Sequence, residues 1–95
     1  MSRKRFASVW DAIEDSAAEA ANMKLRDELA IEIIEKMHER KLTQAKAAVL
    51  FGVTQPRVSD LRRGRLDLFS LDALVDMADQ IGLRTRMVVS PKRAA

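Results

Sequence analysis

Between Gln44 and Arg65 the sequence gathers side chains that hydrogen-bond or carry charge: Gln44, Lys46, Thr54, Gln55, Arg57, Ser59, Asp60, Arg62, Arg63 and Arg65. The stretch "LTQAKAAVLFGVTQPRVSDLRRGRL", residues 42–66, holds a single carboxylate and neither cysteine nor histidine. It therefore offers no nucleophile with its base, no metal cluster and no phosphate loop. Its chemistry is that of recognition by hydrogen bonds and positive charge. Residues 40–66 carry seven basic groups against Asp60 alone, whereas residues 11–39 carry nine acidic groups against three basic ones. A solvated helix face ordinarily mixes both signs, so a one-sided basic block in mid-chain points to a polyanionic partner.

Two short helices must position these groups. Thr43 is a good N-cap, and the first helix runs through "QAKAAVLF" to Gly52, a residue that accepts the positive φ found just past a helix end. Thr54 caps the second helix and Pro56 sits in its first turn, where a missing N–H is harmless; Val53 can pack on Val58 as a hydrophobic staple, and Gly64 ends it. Two helices joined by a three-residue turn, with a small residue where they cross, specify a helix-turn-helix, here over 43–63. Ala48 is the small residue and Gly52 lies in the turn, while Phe51, Val53, Val58 and Leu61 hold the pair on the core.

That arrangement leaves Gln55, Pro56, Ser59 and Asp60 outward on the second helix, with Arg57 beside them. A helix fits the major groove of duplex DNA, where Gln pairs with adenine, Arg with guanine, and a Pro ring lies against a thymine methyl. These five are the candidates for base readout. Gln44, Lys46, Thr54, Arg62, Arg63 and Arg65 are candidates for gripping phosphates on either side, which positions the protein without reading sequence.

The rest of the chain has to carry this pair. With 95 residues, 47% hydrophobic and 33% charged, it is sized for one domain, expected over 8–90. Residues 1–7 read as a flexible basic arm that could reach a minor groove, and residues 91–95 as a frayed tail. Ser8 can cap a short helical turn, "VWDAI", with Trp10 as an anchor onto the domain. A long helix follows from Ser16 to Arg40, broken near Asn22, with Leu25, Leu29, Ile33 and Met37 at core spacing beside Ala30 and Ile34. Ser70 caps a last helix that Gly82 stops, with Phe69 and Leu74 as a second staple. The alternation in "LRTRMVV" predicts a β-strand that presents Leu83, Thr85, Met87 and Val89 on one side; pairing two copies of the chain is the preferred use, with packing within the monomer or a toxin-binding edge as the alternatives. The methionines fall on apolar stripes and are expected to fill the core. A lone His38 reads as a solvated charge. With no cysteine and no apolar run near the ~20 residues of a membrane span, neither a cofactor, a metal nor a membrane is expected, and a cytoplasmic location is the simplest expectation.

Residues 42–65 closely resemble the helix-turn-helix of Cro/CI-type (XRE) phage and bacterial repressors, through the "LTQ" opening, Ala48, Gly52, Thr54-Gln55, Val58, Leu61 and Gly64. The resemblance extends over about residues 24–82. It implies an all-α, five-helix, lambda-repressor-like DNA-binding domain that acts as a homodimer on a palindromic operator. Pro56 and Asp60 stand where some family members carry Gln, so the operator sequence does not transfer. The flanks "SVWDAIEDSAAEAANMKLRDELA" and "GRLDLFSLDALVDMADQIG" are similar to small HigA-type antitoxins, which implies a repressor of its own operon that binds a ribosome-dependent RNase toxin of the RelE type. A stand-alone XRE regulator and a protein-interaction adaptor on the same fold are the alternatives.

Overall fold

The structure, a computed structural model, describes residues 9–92, with side chains from Ser16 onward. It contains α1 (Val9–Glu39), α2 (Gln44–Phe51), α3 (Gln55–Arg62), a 3₁₀ turn over Leu66–Leu68, and α4 (Leu71–Gln80). The five-helix expectation is thus corrected to four α-helices. "VWDAI" and the long helix after it form one uninterrupted α1 of 31 residues. No Gly or Pro occurs anywhere in it, and Asn22 sits among alanines; its propensity deficit of about half a kcal/mol is too small to break such a run. The basic arm and the Ser8 cap fall outside the described residues, as does the contact expected of Trp10.

The C-terminal strand is overturned as well. After α4 the chain runs on from Leu83 without a ladder, and no strand occurs among the described residues. Leu83 alone packs against the core; Thr85, Met87 and Val89 are exposed. The alternation was real, but a strand exists only through pairing, and among the described residues no second extended segment lies beside this one to supply hydrogen bonds.

The core is one cluster to which every element contributes. Ala30, Ile33 and Met37 come from α1, Ala47, Ala48 and Phe51 from α2, Val58 and Leu61 from α3. Leu66 and Phe69 from the 3₁₀ segment and Leu74, Met77, Ala78 and Ile81 close it. Leu25, expected on the core stripe, is half exposed, because α1 runs past the end of the domain. Met23 and Met87 are surface residues too, so only Met37 and Met77 of the described methionines fill the core. Arg26 of α1 and Arg40, the first residue past it, bind the far segments by their backbone: Arg26 Nη1 donates to the carbonyls of Leu66 and Phe69 at 3.1 Å each, and Arg40 Nη1 donates to that of Ile81 at 3.1 Å.

All four helices end in the same paired-bond cap, in which one residue past the helix donates five residues back and the residue before it donates three back. For α2 these bonds are Val53 N to Ala48 O at 3.0 Å and Gly52 N to Val49 O at 3.2 Å. The motif requires a left-handed residue, and Gly52 supplies it at φ 68°. In α1 the same place is held by Lys41 at φ 53°.

Candidate nucleic-acid interface

Short polar side chains start each of the helices that frame the basic stretch. Thr43 Oγ1 accepts from Lys46 N at 3.1 Å, Thr54 Oγ1 from Arg57 N at 3.3 Å, and Ser70 Oγ from Ala73 N at 3.1 Å. Each cap satisfies a backbone donor that helix geometry leaves orphaned. Thr54, a phosphate candidate, thus already has its oxygen occupied in starting α3. Gln44 ties the two helix starts together: its Nε2 donates to Gln55 O at 3.3 Å.

Val58 and Leu61 are fully buried and fix which side of α3 faces the core. At 100° per residue, Pro56, Asp60 and Arg63 then point away from it, with Ser59 and Gln55 on the adjoining flank. Gln55, Pro56 and Arg63 are exposed, and Ser59 and Asp60 half-buried. Arginines hold the two borders of this face. On one, the Arg62 Nη2 donates to Leu42 O at 3.2 Å, joining the end of α3 to the segment before α2. On the other, the Arg57 guanidinium stacks over the buried Phe69 ring, 4.1 Å from its centroid. Arg57, which the sequence places with the base readers, lies over Phe69 in this structure. Phe69 carries no sequence signal for that stack beyond being aromatic.

Lys46, Arg63 and Arg65 are exposed. Ala48, Phe51, Val58 and Leu61 lie in the core and Val53 packs on its edge. His38 is exposed, and no group of metal-ligating side chains occurs among the described residues. No helix among them is long and apolar enough to cross a membrane.

A family model described as a helix-turn-helix domain matches residues 12–90. The chain belongs to that family. No curated protein matches it. In this helix-turn-helix domain, α2 and α3 are the paired helices and Gly52 makes the turn between them. In helix-turn-helix units the second helix of the pair is the one that lies along the major groove of DNA, and α3 holds the second position here.

Proposed function

We propose that the protein is a sequence-specific transcriptional repressor of the Cro/CI (XRE) type, acting as a homodimer on a palindromic duplex operator. The observation that carries this reading is the outward face of α3, where groups able to bond base edges lie between tethered arginines. In this reading Gln55 bonds adenine, Asp60 accepts from the cytosine amino group, Pro56 lies against a thymine methyl, and Ser59 bonds either partner of a pair. Arg57 joins them only by leaving Phe69. Gln44, Lys46, Arg62, Arg63 and Arg65 hold phosphates, and the N-terminus of α3 begun by Thr54 favours one as well.

The protein partner in this reading is a basic RNase toxin of the RelE type, whose operon the dimer represses. Its support is the flank pattern together with the acidic solvent face of α1, where Glu28, Glu32, Glu35 and Glu39 are all exposed. Co-expression with the neighbouring small reading frame decides between antitoxin and stand-alone regulator: the antitoxin co-purifies with that product, and the regulator emerges alone.

Fluorescence anisotropy tests the DNA reading, using the duplex upstream of the protein's own gene and a scrambled duplex of equal length, across a salt series. A preference for the native duplex of about 10³ or more is expected. Equal and steeply salt-dependent binding to both overturns operator recognition and leaves a purely electrostatic grip.

A further inference from the structure

The segment that follows α3 is held by one side chain of α1. Arg26 extends its guanidinium to the 3₁₀ turn, where Nη1 donates to Leu66 O and to Phe69 O, 3.1 Å each. Those carbonyls stand at the start and just past the end of Leu66–Leu68, so one nitrogen fixes both ends of the turn. Arg26 Nε is drawn in as well: it is buried and meets no hydrogen-bond partner among the described residues. An arginine on a helix surface ordinarily keeps its head in water, and a buried N–H without a partner is costly, so the inward position is maintained by what Nη1 holds. Only Arg63, Gly64 and Arg65 separate this turn from the end of α3. Arg65 N donates to Asp60 O at 3.0 Å, and Arg65 O accepts from Leu68 N at 3.1 Å. Arg65 is thus bonded to α3 on one side and to the turn on the other, with its side chain exposed.

We infer that Arg26 is a positioning residue for the phosphate grip: it touches no DNA itself and, through the 3₁₀ turn, sets where Arg65 presents its guanidinium. The inference rests on the operator-binding reading, in which Arg65 holds a phosphate. Such a contact needs a donor within about 3 Å of a phosphate oxygen, and a long side chain on a loose link spreads its head far more widely than that. Bonding the backbone on both sides of Arg65 narrows the spread before the duplex arrives, so less ordering is left to oppose binding. A lysine in place of Arg26 keeps the charge but ends one bond short of Nη1, which separates position from electrostatic field. Arg40 is the matched comparison, because its Nη1 makes the same kind of bond, to Ile81 O at 3.1 Å, at the end of α4 rather than at the turn.

Anisotropy titrations on the upstream and scrambled duplexes over a salt series test this, each variant first being shown to fold by its helical circular dichroism. Arg26→Lys should bind both duplexes about fivefold more weakly near 0.15 M salt and flatten the salt slope by about 1, the signature of one lost phosphate contact at unchanged net charge. Arg65→Ala should show the same loss, and the double variant no more than Arg65→Ala alone. Arg40→Lys should lower the melting temperature as Arg26→Lys does, yet leave both affinities and the slope at wild-type values. Wild-type binding and slope in folded Arg26→Lys overturn the inference and reduce Arg26 to a structural tether; additive losses in the double variant overturn it too, by placing the effect elsewhere than Arg65. Hydrogen exchange in the wild-type chain gives a check that no folding defect obscures. The amides of Leu68 and Phe69, which donate to Arg65 O and Leu66 O, should exchange within about tenfold of those in α4, and unprotected exchange there overturns a turn held in place. A wild-type chain that binds neither duplex removes the operator reading and this inference together, whereas wild-type binding that Arg26→Lys leaves untouched sinks the inference alone.

Discussion

At the scale of single residues, the side chains of α3 divide by what already holds them. Gln55 and Pro56 are exposed, so their worth is spent on a partner. Gln55→Ala should cost about 1–3 kcal/mol on the preferred operator and relax selection at one base pair, with binding to scrambled duplex unchanged; competition anisotropy against single-base operator variants measures both. Arg57 is different, because its guanidinium lies 4.1 Å over Phe69. A half-exposed cation–π contact of this kind is worth about 0.5–1 kcal/mol. Arg57→Ala should therefore lower stability by that amount in urea unfolding while leaving operator preference nearly intact. A tenfold loss of preference with unchanged stability would place Arg57 back among the base readers. The residue types of the site were legible in sequence, since spacing decides which positions face outward on a short helix. The direction of Arg57 was not, because a long side chain at a border can swing either way and its choice depends on Phe69, twelve residues away.

At the scale of elements, the signals that survived were caps closed within a few residues; those that failed were a weak local propensity and an alternation without a pairing partner. The caps at Thr43, Thr54 and Ser70 and the turn at Gly52 follow from bonds within a few residues, and sequence locates them correctly. The break near Asn22 failed because a weak helix former does not overcome an alanine-rich surround, and the strand after Gly82 failed because alternation describes a face without providing a neighbour. Lys41 was also unreadable: nothing in "HERKLTQ" marks the lysine as the left-handed residue. It takes φ 53° because Leu42 N must reach Met37 O, 3.0 Å away, before Thr43 can start α2. A non-glycine residue in that region costs about 1 kcal/mol, part of which glycine returns by its greater freedom in the unfolded chain. Lys41→Gly should raise stability by about 0.5–1 kcal/mol without changing DNA preference, and Gly52→Ala should lower it by about 1 kcal/mol, both read from urea midpoints. A destabilising Lys41→Gly would mean that the lysine side chain holds the turn by a contact stronger than the strain.

At the scale of the whole molecule, charge is sorted as in few small domains: the solvent face of α1 is acidic through Glu28, Glu32, Glu35 and Glu39, and the rim of α3 is basic. The basic rim approaches a phosphate backbone without repulsion and the acidic face of α1 does not, so the field favours one orientation before any base is read. Binding strength should then separate into two measurable parts. Each phosphate contact releases a condensed counterion, which makes the logarithm of affinity fall linearly with the logarithm of salt concentration. Arg63 is exposed on the outward side of α3 and reads no base in the proposed complex. Arg63→Ala should weaken native and scrambled duplexes equally and flatten the salt slope by about 1, while Gln55→Ala, which removes no charge, should leave the slope unchanged and weaken only the native duplex. Two titrations per variant distinguish these results. If both substitutions give equal losses on both duplexes, the outward face of α3 has no code to read, and the basic rim alone accounts for the binding.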